Sequence, residues 1–361
     1  MRKEKCPCGT ITRQHLSHFS FLLFPSLIMQ QRVTDFISKF QDSDAYIEVQ
    51  TSGSTGIPKR MLVEKSRMLA SARRTNDVLG LKAQDVALVC LPVDYIAGKM
   101  MVVRALERGM RIEVVTPSAN PLRNFDANRL GAQTLLAITP HQLAELLMNE
   151  CTLQILNRVS HIIIGGGALP ERVEQMAKSL PGCVYATYGM TETLSHIALR
   201  RINGAKSESY FTPLEGVMLA QDAEGCLIIS DSLTTDAPLV TNDLVELLPD
   251  GRFRILGRRD NVVCSGGVKL QIEELERKLS EVIPFPFQLT YVTDERLGQA
   301  LTMLYTGDAL PSELQQLCTE RVGRYEVPKH FLRVSELPMT ETGKPARSMA
   351  HQVAEERLRQ L

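Results

Sequence analysis

The feature that most constrains this chain is an alternation, between residues 46 and 187, of short apolar runs with longer amphipathic stretches. The runs 46–50, 86–91, 111–115, 134–138, 161–164 and 183–187 read as strands. Helical stretches at 64–79, 98–108, one begun near Thr139-Pro140, and 170–180 separate most of them. Apolar residues at consecutive positions suit strands buried on both faces, and a helix between each pair makes neighbouring strands parallel. The class is therefore α/β, with a mostly parallel sheet covered by helices.

The texture changes after that. Residues 204–250 carry short strands, such as Cys226–Ser230, punctuated by Gly, Pro and Asp, which suggests an antiparallel subdomain. Beyond Gly257 come a helix at 272–282, strands at 287–293 and 301–305, and a helix at 311–321, a small α+β domain of its own. The expected domains are 29–257 and 258–361, with the boundary at Arg258–Asp260. Ahead of them, Arg2, Lys3 and Lys5 precede the apolar stretch 19–28 in the manner of a leader. His15, His18 and Pro25 interrupt that pattern and no small-residue cleavage site follows. Residues 1–28 are accordingly read as a disordered extension or a misassigned start, before Met29 and a helix at 30–40.

Charge excludes some functions. Lys plus Arg and Asp plus Glu number 41 each, so no basic field points to nucleic acid. No apolar run reaches the roughly 18 residues of a membrane span, so no membrane insertion is expected. The eight cysteines include no CxxC pair and no His cluster at zinc spacing, which suits reduced thiols in a cytoplasmic protein. A homodimer stays open.

Five loops carry groups suited to a nucleotide. Thr51-Ser52-Gly53-Ser54-Thr55-Gly56-Ile57-Pro58-Lys59 follows a strand with small hydroxyl residues, glycines and a mobile cation, as a polyphosphate requires; it is not a Walker A sequence. Gly165-Gly166-Gly167 strips the backbone of side chains at a strand end, where a flat ring or phosphate enters α/β folds. In Tyr188-Gly189-Met190-Thr191-Glu192-Thr193 the phenol can stack on a purine, Thr191 can donate to phosphate and Glu192 can hold a divalent cation. Asp243 suits a ribose diol, with Arg258 nearby. Lys344 stands on a Gly-bearing turn from which it can swing into a site. Each loop taken alone is also a common solvated turn, cap or surface charge.

Together, in this order, TSGSTGIPKR, GGGALP, YGMTET, TND, GRRDNVVCSGGVKLQIEELE and PMTETGKPAR resemble the adenylate-forming superfamily of acyl-CoA synthetases, firefly luciferases and peptide-synthetase adenylation domains, over about residues 50–347. The resemblance implies a large N-terminal domain and a small mobile C-terminal one. It implies ATP, Mg²⁺ and coenzyme A as reactants and cofactors. Thr51 to Lys59 would cover the phosphates, Gly165–Gly167 and Tyr188 would frame adenine, and Thr191 and Glu192 would meet the α-phosphate and Mg²⁺. Asp243 and Arg258 would hold the ribose, Asp260 would be the hinge, Gly266 and Gly267 would face pantetheine, and Lys344 would bridge carboxylate and α-phosphate. The chain departs from the family in a short region ahead of the phosphate loop and in Arg60, where a glycine is common.

LPVDYIAGKMM and YGMTETLSHIALRRI are similar to the o-succinylbenzoate–CoA ligase branch of menaquinone biosynthesis, with Tyr95 where that branch usually reads His. That similarity implies a small carboxylic acid substrate near Tyr95, Lys99, Ser195 and His196, with Lys99, Arg200 or Arg201 available to a second carboxylate. Two alternatives stand beside a CoA ligase: acyl transfer to a carrier protein or another acceptor, and a nucleotide-binding protein without catalysis.

Overall fold

The computed structural model describes residues 15–50, 60–340 and 345–360, with side chains from residue 26 onward. The described residues open with helix α1 (His15–Gln41), so the helix expected at 30–40 runs through Met29 rather than starting after it. Its buried stripe is Met29, Val33, Phe36 and Phe40, the spacing of one helix face. Next come the hairpin β1 (Tyr46–Gln50) and β2 (Arg60–Glu64), then α2 (Lys65–Leu79). The sequence reading placed a loop where β2 stands.

The strands β3 (Val86–Val89), β4 (Arg111–Val114), β5 (Thr134–Ile138), β6 (His161–Ile164) and β7 (Cys183–Gly189) are parallel, as their apolar runs required. β8 (His196–Arg201) and β9 (Thr212–Pro213) continue the sheet antiparallel, giving the order β4-β3-β5-β6-β7-β8-β9. One face is covered by α1, α2 and α3 (Ile96–Arg108), the other by α4 (Pro140–Met148), α5 (Glu150–Leu156) and α6 (Glu171–Ala177). Thr139 caps α4 reciprocally with Gln142, and Pro140 takes the first helical position, where its missing N–H is harmless.

A four-stranded antiparallel sheet follows: β10 (Met218–Gln221), β11 (Cys226–Ser230), β12 (Leu239–Leu247) and β13 (Phe253–Arg258). It is the antiparallel subdomain the punctuated sequence suggested. Past Arg258 the last unit forms around its own core: β14 (Val262–Ser265), β15 (Val268–Gln271), α7 (Ile272–Leu279), β16 (Phe287–Asp294), β17 (Gly298–Tyr305), α8 (Pro311–Arg321), β18 (His330–Arg333) and α9 (Arg347–Arg359). Among the described residues no helix is long and apolar enough to cross a membrane.

Candidate active site

Two loops leave the parallel strands at their C-terminal ends, the edge where open α/β sheets present their crevice. After β6, Gly165 packs so closely on β7 that a Cβ there would lie 2.5 Å from Thr187 Oγ1, and Gly166 has φ +87°. The three glycines leave a bare surface beside the end of β7. After β7, Gly189 sits at a register shift against β8, where a Cβ would come within 2.3 Å of the Ser195 carbonyl oxygen. A side chain at Gly165 would displace the Thr187 hydroxyl, and one at Gly189 would push β7 and β8 apart.

The turn that follows is tightly stapled. Buried Thr193 accepts from Met190 N at 3.0 Å and donates to the Ser195 carbonyl at 2.7 Å. Ser195 N bonds Thr193 O at 2.7 Å across Leu194, whose φ of +63° and ψ of −35° mark the strained hand of a γ-turn. This reversal turns Glu192 outward and brings Ser195 and His196 back against the sheet. Glu192 is exposed and lines a cavity of about 460 Å³ with Met61, Arg67, Leu194, Thr234 and Pro238. Arg67 pairs with Asp236 on its wall. Thr191 is half-buried beside Glu192. The cavity adjoins β2, which follows residues 51–59; Thr51, Ser52, Gly53, Ser54, Thr55, Gly56 and Lys59 lie outside the described residues, as does Lys344.

Tyr188, Asp243, Arg258 and Asp260 form one connected group. The Tyr188 ring packs edge-on against Phe253, with centroids 5.1 Å apart, and its hydroxyl donates to Asp243 Oδ2 at 2.6 Å. Burial and the adjacent Asp243 carboxylate push that phenol far above its ordinary range, so it stays a donor. Arg258 Nη1 donates to Asp243 Oδ1 at 3.1 Å, while its Nε and Nη2 grip Asp260 at 2.9 and 3.0 Å. The residues expected at the ribose and the residue expected at the hinge are thus tied through a single guanidinium.

The sequence reading missed Arg104. It lies in α3 with 2% of its surface exposed, hydrogen-bonded to Ser195 Oγ and 3.5 Å from His196 Nδ1. Among the described residues no carboxylate pairs with it, and its buried Nε has no partner. Burial alone pulls its pKa down to about 10. The available signal was a single arginine inside the apolar run MMVVRAL. Of the expected acyl-pocket residues, Ser195 and His196 meet at this arginine, but His196 is 5% exposed and stands behind Ser195.

The other basic candidates lie elsewhere. Lys99 is five residues from Arg104, roughly 140° around the helix, and donates to the Asp94 carbonyl at 3.0 Å. Tyr95 lines a separate cavity with Met29, Arg32 and Pro117. Arg200 is held by both oxygens of Glu174, and Arg201 by Asn203 and Tyr185. Both arginines face β7 near its start, since Arg200 pairs with Ala186 and Arg201 with Tyr185. Their place at a second carboxylate is not supported, because strand β8 carries them away from Ser195.

Gly266 and Gly267 have φ +57° and +83° and form the two-residue turn between β14 and β15, which closes with Ser265 opposite Val268. That turn type needs positive φ at both positions, a local reason for glycine independent of any ligand.

Comparison with known proteins decides the family. Residues 27–226 match the model of the AMP-binding enzyme family. The chain belongs to that family. Residues 290–344 of this AMP-binding enzyme match the model of the family's C-terminal domain as well. It is 28% identical, over 351 residues, to a 2-succinylbenzoate–CoA ligase of Bacillus thuringiensis, covering 88% of this chain and 72% of the relative. Among solved structures, an acyl-CoA synthetase (AMP-forming)/AMP-acid ligase II-like protein from Dyadobacter fermentans is 34% identical, with a TM-score of 0.59, 89% of this chain and 93% of that one. The o-succinylbenzoate coenzyme A synthetase of Bacillus subtilis, solved with ATP and magnesium, has a TM-score of 0.70 at 22% identity, covering 84% and 69%, and shows the same fold.

Proposed function

We propose that this AMP-binding enzyme joins 2-succinylbenzoate to coenzyme A through an acyl-adenylate, releasing pyrophosphate and then AMP. The observation that carries the substrate is Arg104, a buried guanidinium with no carboxylate partner among the described residues, directly behind Ser195. Burying an unpaired cation is expensive, and such a charge is retained where an anion arrives to meet it. A dicarboxylic acid supplies that anion while its other carboxylate reacts.

In the first half-reaction a carboxylate oxygen attacks the α-phosphorus of ATP and the bond to pyrophosphate breaks. Two anions must approach, so positioning and charge neutralisation dominate. Thr191 and the bare backbone of Gly165–Gly167 would border the nucleotide, and the Asp243–Tyr188–Arg258 group would exchange its internal hydrogen bonds for those of the ribose diol. Glu192 suits Mg²⁺: its carboxylate is exposed on the cavity and forms no ion pair with another described residue. One protein carboxylate is the usual share where phosphates supply the other ligands, and the ion would offset charge on the phosphate oxygens. Lys344 would add its ammonium to the same charge.

In the second half-reaction the thiol of coenzyme A attacks the acyl carbon, its proton is lost, and AMP leaves. Rotation at Asp260 would withdraw Lys344 and admit the thiol. We place this work in the cytoplasm, with the described cysteines free. Mass spectrometry of a reaction containing ATP, Mg²⁺, coenzyme A and 2-succinylbenzoate tests the proposal. The expected product is the thioester with one equivalent of AMP; ADP formation, or AMP without thioester, would contradict it.

A further inference from the structure

Arg104 is backed by a relay that runs away from the site into α2. Arginine offers only donors, so His196 Nδ1, 3.5 Å from Nη2, must present its lone pair. The ring proton then sits on Nε2 and donates to Thr75 Oγ1 at 3.0 Å, and the Thr75 hydroxyl donates to the Ser71 carbonyl at 3.2 Å. Thr75 is fully buried and His196 nearly so. The charged groups facing the imidazole are Arg104 from α3 and Arg74 from α2, and the charge of Arg74 is taken up by both oxygens of Asp231 at 3.1 and 2.8 Å. Burial first, then these two arginines, keep the imidazole well below its usual range and hence neutral.

An acidic, an apolar and a neutral acceptor side chain at position 196 would have different consequences. An acidic side chain would neutralise Arg104 permanently and remove its charge from any substrate. An apolar one would leave a buried N–H unsatisfied. A neutral imidazole accepts the hydrogen bond and leaves the charge available.

We propose that His196 is a positioning residue: oriented by Thr75, it fixes the Arg104 guanidinium toward the second carboxylate of the substrate without competing for its charge. This deepens the carboxylate role given to Arg104 and rests on it.

The test compares wild type, Arg104→Met, His196→Leu and His196→Asn in acid-dependent pyrophosphate release. The acids are 2-succinylbenzoate and its two analogues that each lack one carboxylate. The readout is the ratio of kcat/KM for the diacid to that for the better analogue. Arg104→Met should collapse the ratio. His196→Leu should lower it about tenfold, the size of one hydrogen bond to a charged group, chiefly through KM for the diacid. His196→Asn, which restores an acceptor near the Nδ1 position, should recover most of the loss. Equal losses on all acids in His196→Leu, or no recovery in His196→Asn, would overturn the inference while leaving Arg104 in place. An unchanged ratio in Arg104→Met would overturn the carboxylate reading and this inference with it.

Discussion

At the scale of single residues, the chemistry of this AMP-binding enzyme rests on groups whose surroundings leave one task open. Glu192 is exposed on its cavity and outside any ion pair with a described residue. Glu192→Gln keeps its shape and removes its charge, so the Mg²⁺ concentration giving half-maximal turnover should rise at least about tenfold, the value of one charged contact; titration with MgCl₂ at fixed ATP checks this. His196 predicts a pH effect of definite sign. Its folded pKa lies below the ordinary value, so as pH falls through about 6.5 the unfolded imidazole takes a proton that the folded one refuses. Stability contributed by the neutral ring is therefore present above that pH and is lost on acidification. Denaturant midpoints measured from pH 7.5 to 5.5 should fall in wild type and fall less in His196→Asn. The motif residues Tyr188, Asp243, Arg258 and Asp260 were legible in sequence because each falls in one of the ordered motifs through which the chain resembles its family. Arg104 was not, because its partners Ser195 and His196 lie 91 and 92 positions away and only the fold brings them together.

At the scale of elements, strands buried on both faces were readable from composition alone. The spans Thr134–Ile138, His161–Ile164 and Cys226–Ser230 were expected with these same limits. The strands β2, β14 and β15 escaped notice because they are four or five residues long, only partly buried, and end on a polar residue. α9 escaped because only Ala350 and Ala354 of its residues are buried, too narrow a stripe for a pattern. The pair Arg74–Asp231 was equally invisible, since it joins α2 to the segment after β11 across 157 positions. Its side chains are 5% and 0% exposed, and Asp231 also accepts from Thr234, a wall residue of the Glu192 cavity. Burial pushes the Asp231 carboxyl up, yet the hydrogen bonds from Arg74 and Thr234 outweigh it and the net shift is downward. Asp231→Asn strands a buried guanidinium and should destabilise the fold by about 3–5 kcal/mol, read as a lower denaturant midpoint. The loop from Asp231 to Pro238 would lose its anchor at the same time.

At the scale of the whole molecule, the family models match residues 27–226 and 290–344, and Arg258 links Asp243 of the antiparallel sheet to Asp260 at the expected boundary. In the proposed scheme Lys344 would serve the first half-reaction and withdraw for the second, so its assignment can be separated from a general loss of folding. Lys344→Ala should reduce adenylate formation by at least about a hundredfold, the range of one preorganised electrostatic contact, and leave thioester formation from supplied adenylate largely intact. Single-turnover assays of each step make that comparison, and parallel losses would argue against the division of labour. The most direct measurement for the account as a whole is exchange of labelled pyrophosphate into ATP without coenzyme A. The account predicts exchange that depends on added 2-succinylbenzoate and on Mg²⁺. Exchange that ignores the acid, or none with any carboxylic acid in a folded preparation that binds ATP, would contradict it.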